Sequence, residues 1–156
     1  MKKFLLITLL VFILIAGVNG KDFEKGDKYL TGQIGLNTYA IPIGASFGLA
    51  ITDNIEVGGT VMAYFWDGIT VIQPSADAMY HFTSLELPVD LFAGASLGYL
   101  LAMGDGVTYS GGLSLTPMIG ARYFFKDNLA VSLKVFFSVL GDMSGAGGLL
   151  GVTLVL

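Results

Sequence analysis

From Tyr29 onward, large apolar side chains recur at every second position of the chain. Between residues 41 and 65 they fall almost wholly on odd numbers: Ile41, Ile43, Phe47, Leu49, Ile51, Val57, Val61 and Phe65. The even positions hold Pro42, Gly44, Ser46, Gly48, Ala50, Glu56, Gly58, Thr60 and Tyr64. A period of two is the signature of a β-strand whose faces see different surroundings. The same alternation predicts eight strands, over Tyr29–Asn37, Ile41–Ile51, Ile55–Trp66, Ile69–Phe82, Leu87–Leu101, Leu113–Phe125, Leu129–Leu140 and Ala146–Leu156. No long amphipathic helix, linker or second domain interrupts them.

The breaks between runs alternate in kind. "TDN" (52–54), "TSLE" (83–86) and "KDN" (126–128) are short, polar and turn-forming, because Asn and Asp hydrogen-bond their own backbone. The others, "TYA" (38–40), "WDG" (66–68), "AMGDGVTYSGG" (102–112) and "GDMSG" (141–145), are more varied. Short turns at one end and varied loops at the other predict an up-and-down meander, all-β and antiparallel, with both termini at the short-turn end. A strand of about 11 residues at roughly 3.3 Å each, tilted near 45°, covers about 25 Å, the height of an outer-membrane apolar band. Eight such strands close into a barrel with no free edge.

Composition decides which face points out. Apolar residues make up 54% of the chain and charged ones 13%, against about 25% charged in a typical soluble domain. The second face is mainly Gly, Ala, Ser and Thr, which make a poor solubilising coat but fit the crowded interior of a narrow barrel. Turned outward, the apolar face exceeds any patch that a soluble monomer exposes. In lipid it is solvated. Tyr80, Phe82, Tyr123 and Phe125 end strands beside the short turns, while Phe65, Tyr99 and Phe137 lie near the opposite loops, the pattern of two interfacial girdles. The fold predicted is an eight-stranded transmembrane β-barrel over residues 29–156.

The start of the chain reads as a secretory signal peptide. Lys2 and Lys3 form a basic n-region, Phe4 to Ala16 an apolar h-region, and Val18-Asn19-Gly20 a small-residue cleavage site. The apolar run from Phe4 to Val18 falls short of the roughly 20 residues of a spanning helix. Cleavage after Gly20 leaves "KDFEKGDK" (21–28) as a short periplasmic lead-in. With a net charge of −4 and no basic patch, nucleic acid is excluded as a partner. The absence of cysteine excludes disulfides, thiolate metal sites and a lipoprotein anchor.

These features resemble the small eight-stranded outer-membrane proteins of Gram-negative bacteria, the type of the OmpA transmembrane domain and OmpX. The resemblance covers the mature chain and rests on strand count, alternation, turn asymmetry and segments such as "ARYFFKDNLAVSLKVFF" (121–137). It implies residence in the bacterial outer membrane, lipid and lipopolysaccharide as surroundings, and insertion by the barrel-assembly machinery. One departure concerns that insertion. Such proteins commonly end in an aromatic residue, whereas this chain ends "GVTLVL".

Candidate chemistry is sparse. The inward parity carries Glu56, Asp77, His81, Asp90, Arg122 and Lys134, expected to form a lumenal ion-pair network, because buried charges need partners. All of them except Asp77 are expected to meet near the periplasmic mouth. His81 is the one histidine, so no site of several imidazoles exists. A hydrolase reading would join His81 to Asp77 or Asp90 and to Ser75 or Ser84. Under the resemblance, lipid-modifying barrels work at the extracellular or lipid-facing side, whereas His81 sits inward at the other end. No catalytic, cofactor or metal residue is therefore assigned. The glycine-rich 102–112 segment lacks the lysine and helix of a phosphate loop. It is expected to be a flexible extracellular loop, with Asp105 and Tyr109 as contact residues.

Bulky inward residues (Met62, Tyr64, Phe92, Met118, Phe124 and Phe136) favour a filled, non-enzymatic barrel with a structural or surface-interaction role. The inward glycines, Gly94 and Gly98 among them, support a competing reading, a narrow channel or carrier of a small apolar ligand. A soluble periplasmic ligand-binding barrel is the reading with the faces inverted.

Overall fold

Every alternating run becomes a strand in the computed structural model, which describes residues 23–66, 68–83, 89–104, 107–140 and 145–156. The strands are β1 (Lys28–Asn37), β2 (Ile41–Ala50), β3 (Ile55–Trp66), β4 (Ile69–His81), β5 (Asp90–Gly104), β6 (Val107–Lys126), β7 (Leu129–Ser138) and β8 (Gly145–Val155). Each pairs antiparallel with its sequence neighbours, and β8 pairs with β1 to close the barrel. The alternation places its two sets of side chains as composition required. Leu30, Phe47, Val61, Leu97, Ile119, Leu133, Val135 and Leu150 point outward and are exposed. Thr31, Gln33, Met62, Ser96, Phe92 and Phe124 point inward and are buried. The girdle aromatics Tyr80, Phe82, Phe65, Tyr99, Phe125 and Phe137 are all on the outward, exposed face.

The structure corrects the reading of residues 102–112. Strands β5 and β6 continue through most of this segment, with Met103 paired to Thr108 and Gly104 to Val107. Glycines suggested a loop. In fact they accommodate a shift of register between Leu100 and Leu101, opposite which Gly112 takes φ +90°. This is the work of a β-bulge, where one residue adopts a backbone that L side chains disfavour.

Residues 1–20, expected to be a signal peptide, lie outside the described residues, as do Lys21 and Asp22. The rest of the lead-in is folded against the barrel. Gly26 N–H donates to the Ala50 carbonyl at 2.8 Å, and Ala50 N–H to the Asp27 carbonyl at 2.9 Å. Phe23, the one bulky apolar residue of "KDFEKGDK", is thereby turned into the short-turn mouth, where it is 5% exposed.

Candidate functional site

The lumen is layered, and inward positions of all eight strands build it. At the short-turn end, Phe23, Tyr29, Ala50, Phe124 and Ala130 form an apolar seal. At the loop end, Ala40, Met62, Tyr64, Val71, Leu100, Phe136 and Leu149 form a second apolar cluster. Charged and polar side chains fill the space between.

Directly inside the lower seal lies a buried ionic cluster of Glu56 (β3), His81 (β4), Asp90 (β5) and Arg122 (β6). Arg122 Nη2 donates to Glu56 Oε2 at 3.1 Å, and its Nη1 stands 3.7 Å from Asp90 Oδ2. His81 lies between the two acids, with Nδ1 2.7 Å from Asp90 Oδ1 and Nε2 3.2 Å from Glu56 Oε2. Aromatic faces complete the enclosure. The Arg122 guanidinium lies 4.3 Å from the Tyr29 ring centre, and the Phe23 ring stacks on the His81 imidazole at 3.7 Å, tilted by 12°. Such a network holds strand register, because each charge removed would strand its partner in a dry environment.

Asp77 and Lys134, expected in the same network, are not part of it. Arg122 pairs in register with Ser132, whereas Lys134 pairs with Gly120, one inward position further from the turn. The stagger between strands therefore lifts Lys134 out of the ionic layer, and its ammonium donates instead to Gln33 Oε1 at 3.2 Å. Asp77 is sheathed by hydroxyls. Ser75 Oγ donates to it at 3.0 Å, Ser96 Oγ at 2.6 Å, and Thr60 Oγ1 also donates to it. Above this layer Tyr64 OH donates to Gln73 Oε1 at 2.7 Å, and Gln73 Nε2 to Ser114 Oγ at 2.5 Å.

Several inward glycines are seats for large side chains across the wall. The Glu56 carboxylate rests over Gly48, the Phe92 ring over Gly120, the Phe136 ring over Gly147, and the Met62 sulfur over Gly44. Of the two glycines expected to leave space, Gly98 is covered by Gln73 and Ser114, and Gly94 lies against the β4 backbone. A cavity of about 40 Å³ survives at mid-lumen, lined by Gln33, Met62, Met118, Lys134, Phe136 and Leu149 together with the Asp77 hydroxyl sheath. It is far below the roughly 300 Å³ at which drug-sized ligand pockets begin.

Among the described residues, no serine hydroxyl is hydrogen-bonded to His81. Both imidazole nitrogens face carboxylates, and Ser75 is engaged with Asp77 and the Thr60 carbonyl. Ser84 and Asp105 lie outside the described residues. Tyr109 is placed in β6 opposite Ala102, and its side chain lies outside the described part. Sequence reasoning missed Phe23 as a lumenal residue. The signal available was a single aromatic in an otherwise polar lead-in.

No family model matches the chain, and no curated protein does. Solved structures do. The N-terminal β-barrel domain of Pseudomonas aeruginosa OprF aligns with a TM-score of 0.68 and 19% identity, over 85% of this chain and 98% of that one. The outer-membrane protein OprG of the same organism aligns at 0.65 and 10% identity, over 90% and 99%. Ail, the attachment invasion locus protein of Yersinia pestis, aligns at 0.51 and 14% identity, over 84% and 98%. The chain thus has the fold of the small eight-stranded outer-membrane barrels.

Proposed function

We propose that the chain is a non-enzymatic integral protein of the bacterial outer membrane, with a structural or surface-interaction role and a lumen that does not conduct. The single observation that carries this reading is the pairing of an outward apolar belt with a lumen sealed at both ends. Residues such as Leu36, Leu113 and Ile119 are more than 60% exposed, and only lipid or detergent solvates such a surface. Inside, the ionic cluster beneath Phe23 and the apolar cluster around Phe136 fill the two ends of the lumen, which supports a closed interior. With the interior closed, interaction falls to the loop end, where the β5–β6 hairpin continues to Gly104 and resumes at Val107. OprG and Ail, which share the fold, are outer-membrane proteins by name, which supports the location.

The test has two parts. Boiled and unboiled samples of the outer-membrane fraction are compared on a denaturing gel, and the purified barrel is recorded in planar bilayers. A mobility shift in that fraction with no steady conductance is expected. Recovery from the soluble periplasmic fraction without a shift, or a large steady conductance, would refute the reading.

A further inference from the structure

We propose that the mid-lumen cavity is a blind binding site for a small monovalent anion, of the bulk of chloride or formate, seated against the Lys134 ammonium. Lys134 is 4% exposed and lines the cavity. An ammonium has three donors, and the protein fills one of them, through Gln33. Among the described residues, no carboxylate oxygen lies within ion-pair distance of it. A buried cation without a counter-charge costs several kcal/mol, so the site as built favours a negative guest.

Asp77 acts on Lys134 only across a distance and makes no ion pair with it. Asp77 is turned away behind the hydroxyls of Thr60, Ser75 and Ser96, which donate to it and take up its oxygens. Thr60, Ser75 and Ser96 line the cavity, and Asp77 does not. Among the described residues, Lys134 is therefore the one basic side chain on the cavity wall, and no acidic one lines it.

Size and surroundings narrow the guest. A water needs about 10–15 Å³ of such space, so the 40 Å³ cavity takes a monatomic or triatomic ion and nothing larger. Met62, Met118, Phe136 and Leu149 form much of the remaining wall. An apolar wall cannot replace the hydration shell of a multivalent anion, which leaves a singly charged one. Entry from the loop end requires the apolar side chains around Phe136 to move aside. A smaller cavity of about 10 Å³ there shares Tyr64, Gln73, Thr116 and Phe136 with the first. The ionic cluster and Phe23 close the other side, so the guest enters and leaves by the same route.

The experiment uses the refolded full barrel in detergent, with halide as the probe. Crystals soaked in sodium bromide should show an anomalous peak in the lumen within hydrogen-bonding distance of Lys134 Nζ. In solution, replacing gluconate by chloride at constant ionic strength should raise the unfolding midpoint saturably. That increment should vanish in Lys134→Met, which keeps the length of the side chain. A lumen without a bromide peak, its cavity filled by ordered water, would overturn the proposal. So would an equal chloride response in both proteins. Should Lys134→Met fail to fold, the bromide map of the unaltered protein decides alone.

Discussion

Glu56 is where several single residues converge. Its carboxylate accepts from Arg122, faces His81 and lies over Gly48 in the space where a Cβ would otherwise stand. Glu56→Ala leaves the Arg122 guanidinium buried, with the Asp90 oxygen at 3.7 Å as its remaining carboxylate partner. The expected cost is about 3–5 kcal/mol, read from urea unfolding of the detergent-refolded barrel. The double change Glu56→Leu with Arg122→Met removes both charges and should recover most of that loss, since an apolar replacement of a buried pair is often neutral. Gly120 is a second such position. A methyl there would meet the Phe92 ring and, at 2.7 Å, the Leu133 carbonyl. Gly120→Ala should destabilise by about 1–3 kcal/mol, the usual penalty for overpacking. Adding Phe92→Leu should relieve part of it, which the same unfolding curves would show.

Between neighbouring elements, legibility depends on what fixes height. Alternation alone assigned each strand's inward and outward sets, because a period of two survives any register. Which inward residues share a layer depends on the stagger between strands, and alternation is silent on that. Lys134 looks close to Arg122 when positions are counted from the turn, yet Arg122 faces Ser132 and Lys134 faces Gly120. The β5–β6 hairpin shows the same limit in another form. Glycines at 104, 106, 111 and 112 suggest a loop by composition, whereas Gly112 is the turned residue of a bulge inside a continuing ladder. At φ +90°, an alanine at 112 should cost about 1–2 kcal/mol. Gly32, with nothing within 4 Å of an added Cβ and an ordinary φ, is the matched control. Gly32→Ala should be neutral or stabilise by up to about 1 kcal/mol by restricting the unfolded chain. Chemical denaturation of the two variants side by side separates backbone strain from the mere presence of a methyl.

For the whole molecule, the decisive quantity is the solvent that surrounds it. A sealed lumen, a ring of paired strands with no edge and an outward belt of Leu, Ile, Val and Phe are consistent with one another only if the outside is apolar. The argument can be tested with a single charge placed at two heights. Val135 lies in the middle of β7, outward and 55% exposed, paired to Ile119 and Gly148. Leu36 is next to the end of β1 at the loop side and 69% exposed. In a bilayer, Val135→Arg should cost about 2–4 kcal/mol and Leu36→Arg about 0–1, because the penalty falls from midplane to interface. Reversible folding into lipid vesicles measures both. In water, neither position touches a packed interior, so the two substitutions should cost nothing and Val135→Arg should improve solubility. A depth-dependent penalty therefore reports the membrane directly, whereas two equal and negligible values would mean that the apolar belt faces something other than lipid.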